Sequence, residues 1–106
     1  MSQYDVHRNA GRLKESIPFV VIVQSVLFDG YRRRVVVPLV KVSAAGAPAF
    51  AAFNPIFKIR GTAVMLHPLD IVSVPVAELG PKVASLREES GQIIAALDEL
   101  LSRSWQ

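Results

Sequence analysis

The 106-residue sequence contains no cysteine. This absence excludes a disulfide framework, a thiolate metal site and a cysteine nucleophile, and it fits a reducing compartment. The polar, charged opening lacks the apolar stretch of a secretory signal. The longest apolar run, Ile17 to Val23, is much shorter than the roughly 20 residues that cross a bilayer. The sequence therefore predicts a cytoplasmic protein that makes no membrane contact.

Charged residues are also few, at 20% of the chain, whereas 51% of the residues are hydrophobic. The length suits one core, so we expect a single domain spanning residues 1–106. This apolar fraction is high for a small chain. It predicts that part of the protein surface contacts a second subunit or a partner.

The charges are unevenly distributed along the chain. Residues 1–60 hold nine Lys and Arg against three acidic residues, while residues 61–106 hold three against six. A basic surface can face nucleic acid, an acidic peptide or the acidic half of a second copy. Of these, we favour an acidic protein partner.

The hydrophobic pattern predicts a strand-rich body. We expect Pro18 to Ser25 to form a central strand, because β-branched and aromatic residues fill it. A strand begins at Arg33 and is ended or bulged at Pro38, which has no amide to donate. Three further predictions complete the body: an edge strand at Tyr4 to Val6, a hairpin from Ile56–Ile59 and Thr62–Leu66, and a short turn and strand near Leu69–Val72 and Val74–Val76. Residues 43–52 read as a long loop.

A C-terminal helix is the clearest predicted element. Ser85 and Glu88 match a capping box, which places the helix start there. Apolar residues then recur at helical spacing and predict one buried stripe. They are Leu86, Ile93, Ile94, Leu97, Leu100 and Leu101. Gly91 inside this helix is interpreted as a point of close backbone approach.

No residue set predicts a catalytic centre, a metal site or a cofactor. His7 and His67 have no metal-ligand spacing, and both are interpreted as ordinary surface or edge residues, with Asp70 the only carboxylate near His67. The basic run at Tyr31 to Arg34 is interpreted as a solvated strand start rather than a phosphate site. Trp105, with Arg103 nearby, is either an exposed binding anchor or a staple onto the body.

These segments resemble the CcdB family of toxin–antitoxin toxins across nearly the whole chain. The matching segments are Tyr4 to Val6, Phe19 to Ser25 with Asp29, Arg33 to Leu39, Asn54 to Phe57, Val72 to Val76 with Leu79 and Gly80, and Val83 to Leu86. The resemblance implies an α+β, mainly β fold: an SH3-like barrel of antiparallel strands closed by a long C-terminal helix.

The resemblance also implies a function without catalysis. Family toxins bind the A subunit of DNA gyrase, trap it on cleaved DNA, form homodimers and are neutralised by a CcdA-like antitoxin with an acidic, flexible tail. Through that antitoxin they reach operator DNA and repress transcription. Carried over by position, the gyrase-binding residues are Leu27, Phe28, Asp98, Leu101, Ser102, Arg103, Ser104 and Trp105. The antitoxin-binding residues are Leu27, Phe28, Asp29, Asp98 and Leu101.

The C-terminus departs from the family pattern. Well-known members end in Trp-Gly-Ile directly after the helix, whereas this chain has Ser102-Arg103-Ser104 and then Trp105-Gln106. Two alternatives to the gyrase toxin therefore stay open. One is a non-toxic homologue that binds the antitoxin as a co-repressor. The other is a MazF-like endoribonuclease, for which Arg12, Arg60 and Thr62 are the candidate residues.

Overall fold

The structure, a computed structural model, describes residues 1–11, 13–46 and 50–101. The strands are β1 (Asp5–Arg8), β2 (Phe19–Ile22), β3 (Arg33–Lys41), β4 (Ile56–Ile59), β5 (Thr62–Leu66), β6 (Val72–Pro75) and β7 (Lys82–Ser85). The α-helices are α1 (Val42–Ala45) and α2 (Ser90–Leu101), and 3₁₀ turns span Val26–Phe28, Pro68–Asp70, Val76–Glu78 and Arg87–Glu89. The predicted class, mainly β with one long C-terminal helix, is confirmed.

The strands form one antiparallel sheet that curls into a half-barrel. Their order is β4-β5-β3-β2-β1-β7, with β6 paired to β3 beside this path. The Nε of Arg60, in the β4–β5 turn, donates to the carbonyl oxygen of Val83 in β7 at 3.2 Å. This bond joins the two ends of the strand order, which is the expected result of a strongly twisted sheet.

Strand β3 runs through Pro38 in a regular register, so the prediction that proline ends or bulges the strand is wrong. The Val23 amide donates to Val35 O at 3.0 Å, and the regular register places Pro38 opposite Val20. Since hydrogen-bonded and non-bonded pairs alternate along an antiparallel ladder, this pair is non-bonded and needs no proline amide. On its other side, β3 pairs with β6 up to Val36 and with β5 from Leu39 onwards. Pro38 therefore lies where β3 changes neighbours.

Strand β1 is interior to the sheet, so the edge-strand prediction is wrong. β1 pairs with β2 on one side and with β7 on the other. β7 was missed because its last residue, Ser85, was assigned to a helix cap. In the structure the Ser85 hydroxyl accepts a hydrogen bond from the Arg87 amide at 3.2 Å, and α2 begins only at Ser90. The capping-box prediction is wrong, because that hydroxyl bonds the first amide of the short turn Arg87–Glu89 and α2 begins one residue after this turn.

Helix α2 packs an apolar stripe against one face of the sheet, and the predicted buried stripe is thereby confirmed. Val6, Val21 and Val37 stand in register on that face and form one core cluster with Ile93 and Ala96 of the helix. The stripe is narrower than predicted, because Ile94 and Leu101 are exposed. A Cβ added at Gly91 would meet no atom within 4 Å, so the predicted close approach does not occur within the described residues.

The turns and loops between the strands agree with the sequence-based predictions in two places and differ from them in one. The β4–β5 hairpin is confirmed, and Arg60 and Gly61 in its turn have φ values of 48° and 81°, as a type I′ turn requires. The turn at Pro68–Asp70 and the strand β6 confirm the predicted short elements. The predicted long loop instead begins with the single helical turn α1. No helix within the described ranges is long and apolar enough to cross a membrane.

His7 is buried, so its interpretation as a surface or edge residue is wrong. Its side chain is on interior strand β1, and its Nδ1 lies 2.8 Å from the carbonyl oxygen of Gly80. The chain passes so close here that a Cβ added at Gly80 would lie 2.6 Å from the carbonyl oxygen of Arg8. Only glycine fits this position without movement of the backbone.

We expect Gly80→Ala to lower the free energy of unfolding by about 1–3 kcal/mol, because overpacking forces backbone shifts of that cost. Urea denaturation followed by circular dichroism measures the change. Gly91→Ala is the matched control, since it lies in open space on a helix and should raise stability by up to about 1 kcal/mol. Equal stability of the Gly80→Ala protein and the unmodified protein would contradict the close approach.

Candidate protein-binding site

An exposed apolar turn follows strand β2. We call Val26–Tyr31 the apolar turn; it opens with the 3₁₀ turn Val26–Phe28, whose start is capped by the Ser25 hydroxyl accepting from the Leu27 amide at 3.2 Å. The Leu27 side chain is 83% exposed and Tyr31 is 68% exposed, while Val26 and Phe28 are about half exposed. Such a cluster of exposed apolar side chains is typical of a binding surface.

The apolar turn borders an open cavity. Phe28 and Tyr31 pack edge to face with ring centroids 5.9 Å apart. With Val23, Val35 and Arg33 they line a cavity of about 550 Å³. Arg33 is fixed at its rim, since its Nε and Nη2 donate to the Oγ and carbonyl oxygen of Ser73 at 2.8 Å each. The cavity thus offers an apolar wall beside a guanidinium.

Arg34 lies beneath the turn rather than in solvent. Its side chain is buried, and it donates to Met1 O at 2.9 Å, to Tyr31 O at 2.7 Å and to Asp29 O at 2.8 Å. A buried guanidinium is tolerated when its fixed fork of donors is satisfied. The interpretation of the basic run as a solvated strand start is therefore wrong for Arg34, although Arg32 and Arg33 are exposed.

Gln24 holds the other side of the turn. Its Nε2 donates to Phe28 O at 3.1 Å and to Arg33 O at 3.2 Å. Its Oε1 accepts from the Val35 amide at 3.0 Å. One amide side chain therefore ties the start of the apolar turn to the start of β3. The sequence offered one signal for this role, a glutamine directly after a buried strand and before a loop.

Asp29 is engaged within the chain. Its carboxylate accepts a hydrogen bond from the Ser2 hydroxyl at 2.5 Å. The Ser2 amide in turn donates to Asp5 at 2.9 Å, and Lys82 lies 3.2 Å from the same carboxyl group. The hydrogen bond from Ser2 thereby holds the N-terminal segment beside the apolar turn, and the contact of Asp5 with Lys82 ties β1 to β7.

Asp5 should make folding stability depend on pH. Burial of the carboxyl group raises its pKa, but the hydrogen bond from Ser2 and the contact with Lys82 outweigh burial, so the pKa lies below its usual 3.8. A depressed folded-state pKa stabilises the fold above the unfolded value, and this contribution is lost as the pH falls through the folded value.

We therefore expect the urea midpoint to fall on acidification below about pH 4, and Asp5→Asn to flatten that fall. Urea titrations at a series of pH values measure it. Lys82→Gln, which removes one of the partners, should reduce the slope less than Asp5→Asn does. An unchanged slope in Asp5→Asn would show that other carboxylates carry the acid sensitivity.

The second predicted group lies at the end of α2. Asp98 and Leu101 are both exposed, and with Ile94 they share one helix face, since their spacing is i, i+4 and i+7. α2 packs mainly on the turns Pro68–Asp70 and Arg87–Glu89. Over the described residues, then, the two predicted groups occupy separate elements. Ser102, Arg103, Ser104 and Trp105 lie outside the described residues.

The other candidate residues have separate positions in the part of the chain that the structure describes. His67 Nδ1 lies 3.3 Å from Asp70 Oδ2, so the predicted neighbour is confirmed. No group of three or more histidine and acidic residues is placed to hold a metal ion there. Arg60 is used in the link to Val83, Thr62 begins β5, and Arg12 lies outside the described residues.

The comparison with protein families decides the affiliation. The family model of the CcdB protein matches residues 3–102. The chain belongs to the CcdB family. A search of curated proteins gives no match. CcdB proteins are toxins of toxin–antitoxin modules that poison DNA gyrase, and gyrase and the antitoxin are their partners at the level of the family. The resemblance seen in the sequence is confirmed.

Proposed function

We propose that this protein is the toxin of a type II toxin–antitoxin module, which binds the A subunit of DNA gyrase and traps the gyrase–DNA cleavage complex in the cytoplasm. A cognate antitoxin neutralises it. The observation that carries the proposal is the match of the CcdB family model to residues 3–102, and the 83% exposure of Leu27, on a turn tied by Gln24 and the buried Arg34, agrees with it. Exposed apolar side chains on a backbone fixed in this way are typical of a binding surface, and the proposed activity is binding without a catalytic residue.

Two surfaces would take part. The gyrase-binding surface comprises Leu27, Phe28, Asp98 and Leu101 together with Ser102, Arg103, Ser104 and Trp105. The antitoxin-binding surface comprises Leu27, Phe28, Asp29, Asp98 and Leu101. Because the two sets overlap, antitoxin and gyrase would compete for the toxin. The exposed Arg32 and Arg33 beside the turn favour an acidic antitoxin segment by charge complementarity.

Leu27→Asp should abolish or strongly reduce trapping of cleaved DNA, with binding at least about tenfold weaker, because truncation of an interface anchor costs more than 1 kcal/mol. Purified gyrase, ATP and plasmid are incubated with the toxin, and linear DNA is scored after denaturing the enzyme. Leu13→Asp is the matched control, since Leu13 is also exposed but lies outside both proposed surfaces. Full trapping by Leu27→Asp would remove the apolar turn from the gyrase site.

The C-terminal tip is tested separately. Deletion of residues 102–106 should abolish growth arrest and the rise in linear DNA, because the proposed gyrase surface includes Trp105. Circular dichroism checks that the shortened chain is folded. A folded and equally toxic truncation would show that the tip takes no part.

The toxin is proposed to act as a homodimer. Leu69 and Ile94 are exposed on two elements that contact each other, the turn at Pro68–Asp70 and α2. Burying them against a second copy is worth roughly 25 cal/mol per Å² of apolar surface. Ile94→Glu should therefore shift the molar mass from dimer towards monomer in size-exclusion chromatography with light scattering, whereas Leu13→Asp should not.

One observation favours a second candidate function. Ser102-Arg103-Ser104 stands where well-known family members carry Trp-Gly-Ile, so a non-toxic homologue that binds the antitoxin as a co-repressor, and operator DNA only through it, would keep the fold without the tip. Stable antitoxin binding with no growth effect and no linear DNA would support this function. Cleavage of RNA by the purified protein would instead support the endoribonuclease.

A further inference from the structure

The backbone of the apolar turn is held by two side chains beneath it. Between Phe28 and Arg33 the chain forms no strand ladder, yet most of its carbonyl oxygens have donors. Gln24 donates to Phe28 O and Arg33 O, and Arg34 donates to Asp29 O, Tyr31 O and Arg33 O. Two backbone amides also donate to carbonyl oxygens of this segment: Val76 to Arg32 O at 2.8 Å and Tyr31 to Phe28 O at 3.1 Å. Loops that lack such partners are usually mobile.

Arg34 is buried, whereas Gln24 is half-buried at the wall of the cavity. Arg34 is 5% exposed, and Gln24 uses both polar atoms of its amide inside the chain. The exposed side chains, Leu27 foremost, project from the backbone that these two residues fix. A partner that binds Leu27 therefore contacts a turn that is already ordered, so binding does not carry the entropy cost of ordering it.

We infer that Gln24 and Arg34 are positioning residues, which set the fraction of molecules whose apolar turn is ready to bind gyrase or the antitoxin. The identity of the partner rests on the proposed function. The order of the turn rests on the hydrogen bonds alone. If the competent fraction falls, the apparent affinity falls by the same factor, and the loss lies in the association rate. Removal of a direct contact acts mostly on the dissociation rate.

Gln24→Glu is the sharpest variant. It keeps the size of the side chain and an oxygen that accepts from the Val35 amide, but it replaces the donor to Phe28 O and Arg33 O with an acceptor. Gln3→Glu is the matched control, because Gln3 donates its amide to Val23 O at 3.2 Å and so lies outside the turn while gaining the same charge. Arg34→Lys tests the second residue, since an ammonium keeps the charge without the planar fork.

The first measurement needs no partner. Amide hydrogen exchange is followed at Asp29 and Tyr31, whose amides bond to Val26 O and Phe28 O at 3.1 Å each. In Gln24→Glu we expect these two amides to exchange at least about tenfold faster, while amides of the β2–β3 ladder keep their rates, because local opening is separate from global unfolding. An equal rise across the whole chain, or no rise in the turn, would overturn the positioning role.

The second measurement is binding to immobilised gyrase A subunit. For Gln24→Glu and Arg34→Lys we expect an association rate about tenfold lower and a dissociation rate within about twofold of the unmodified toxin. Gln3→Glu should keep both rates, which removes the added charge as the cause. A faster dissociation with unchanged association would overturn the inference in favour of direct contact. If the unmodified toxin does not bind gyrase, the proposed function fails, and hydrogen exchange alone decides the positioning role.

Discussion

The hydrogen bonding of β3 to three other strands constrains the whole molecule. One edge of this strand pairs with β2, while its other edge pairs with β6 before Pro38 and with β5 after it. Two strands cannot pair with the same stretch of one strand edge, so the β4–β5 hairpin and β6 diverge. The sheet is curled, Arg60 reaches Val83, and α2 adds Ile93 and Ala96 to the core cluster.

The same strand also fixes the candidate binding site. Arg33 and Arg34 are the first residues of β3, and because side chains alternate along a strand they point to opposite faces. Arg33 meets Ser73 at the rim of the cavity, and Arg34 enters the space beneath the apolar turn. The turn can therefore expose Leu27 without losing its shape, because its polar backbone is satisfied from within.

Several parts of this architecture follow from local sequence. The central strand is a run of β-branched residues, the hairpin has the glycine that a left-handed turn requires, and the terminal helix repeats its apolar residues at the right spacing. Family membership likewise followed from segments that agree in order and spacing. Local rules failed at Ser85 and Pro38. The same short sequence, a serine followed by acidic residues, occurs both at helix starts and at strand ends. Whether a strand tolerates proline depends on whether the neighbouring strand needs a hydrogen bond from that amide.

Sequence alone determined the kind of protein this is: a mainly β chain without cysteine, closed by a helix, in a family of toxins that act by binding. It also pointed to Leu27, Phe28 and Asp29, through the resemblance. Only the tertiary structure decided that Arg34 is buried while its neighbours are exposed, that His7 lies inside the sheet and that Gln24 ties the turn to β3. For Arg34 and His7 the reason is that the fold brings distant carbonyl groups close, Met1 O and Gly80 O, and no local pattern encodes a partner so far along the chain. For Gln24 the partners are near in sequence, but only the path of the turn decides which of them its amide reaches.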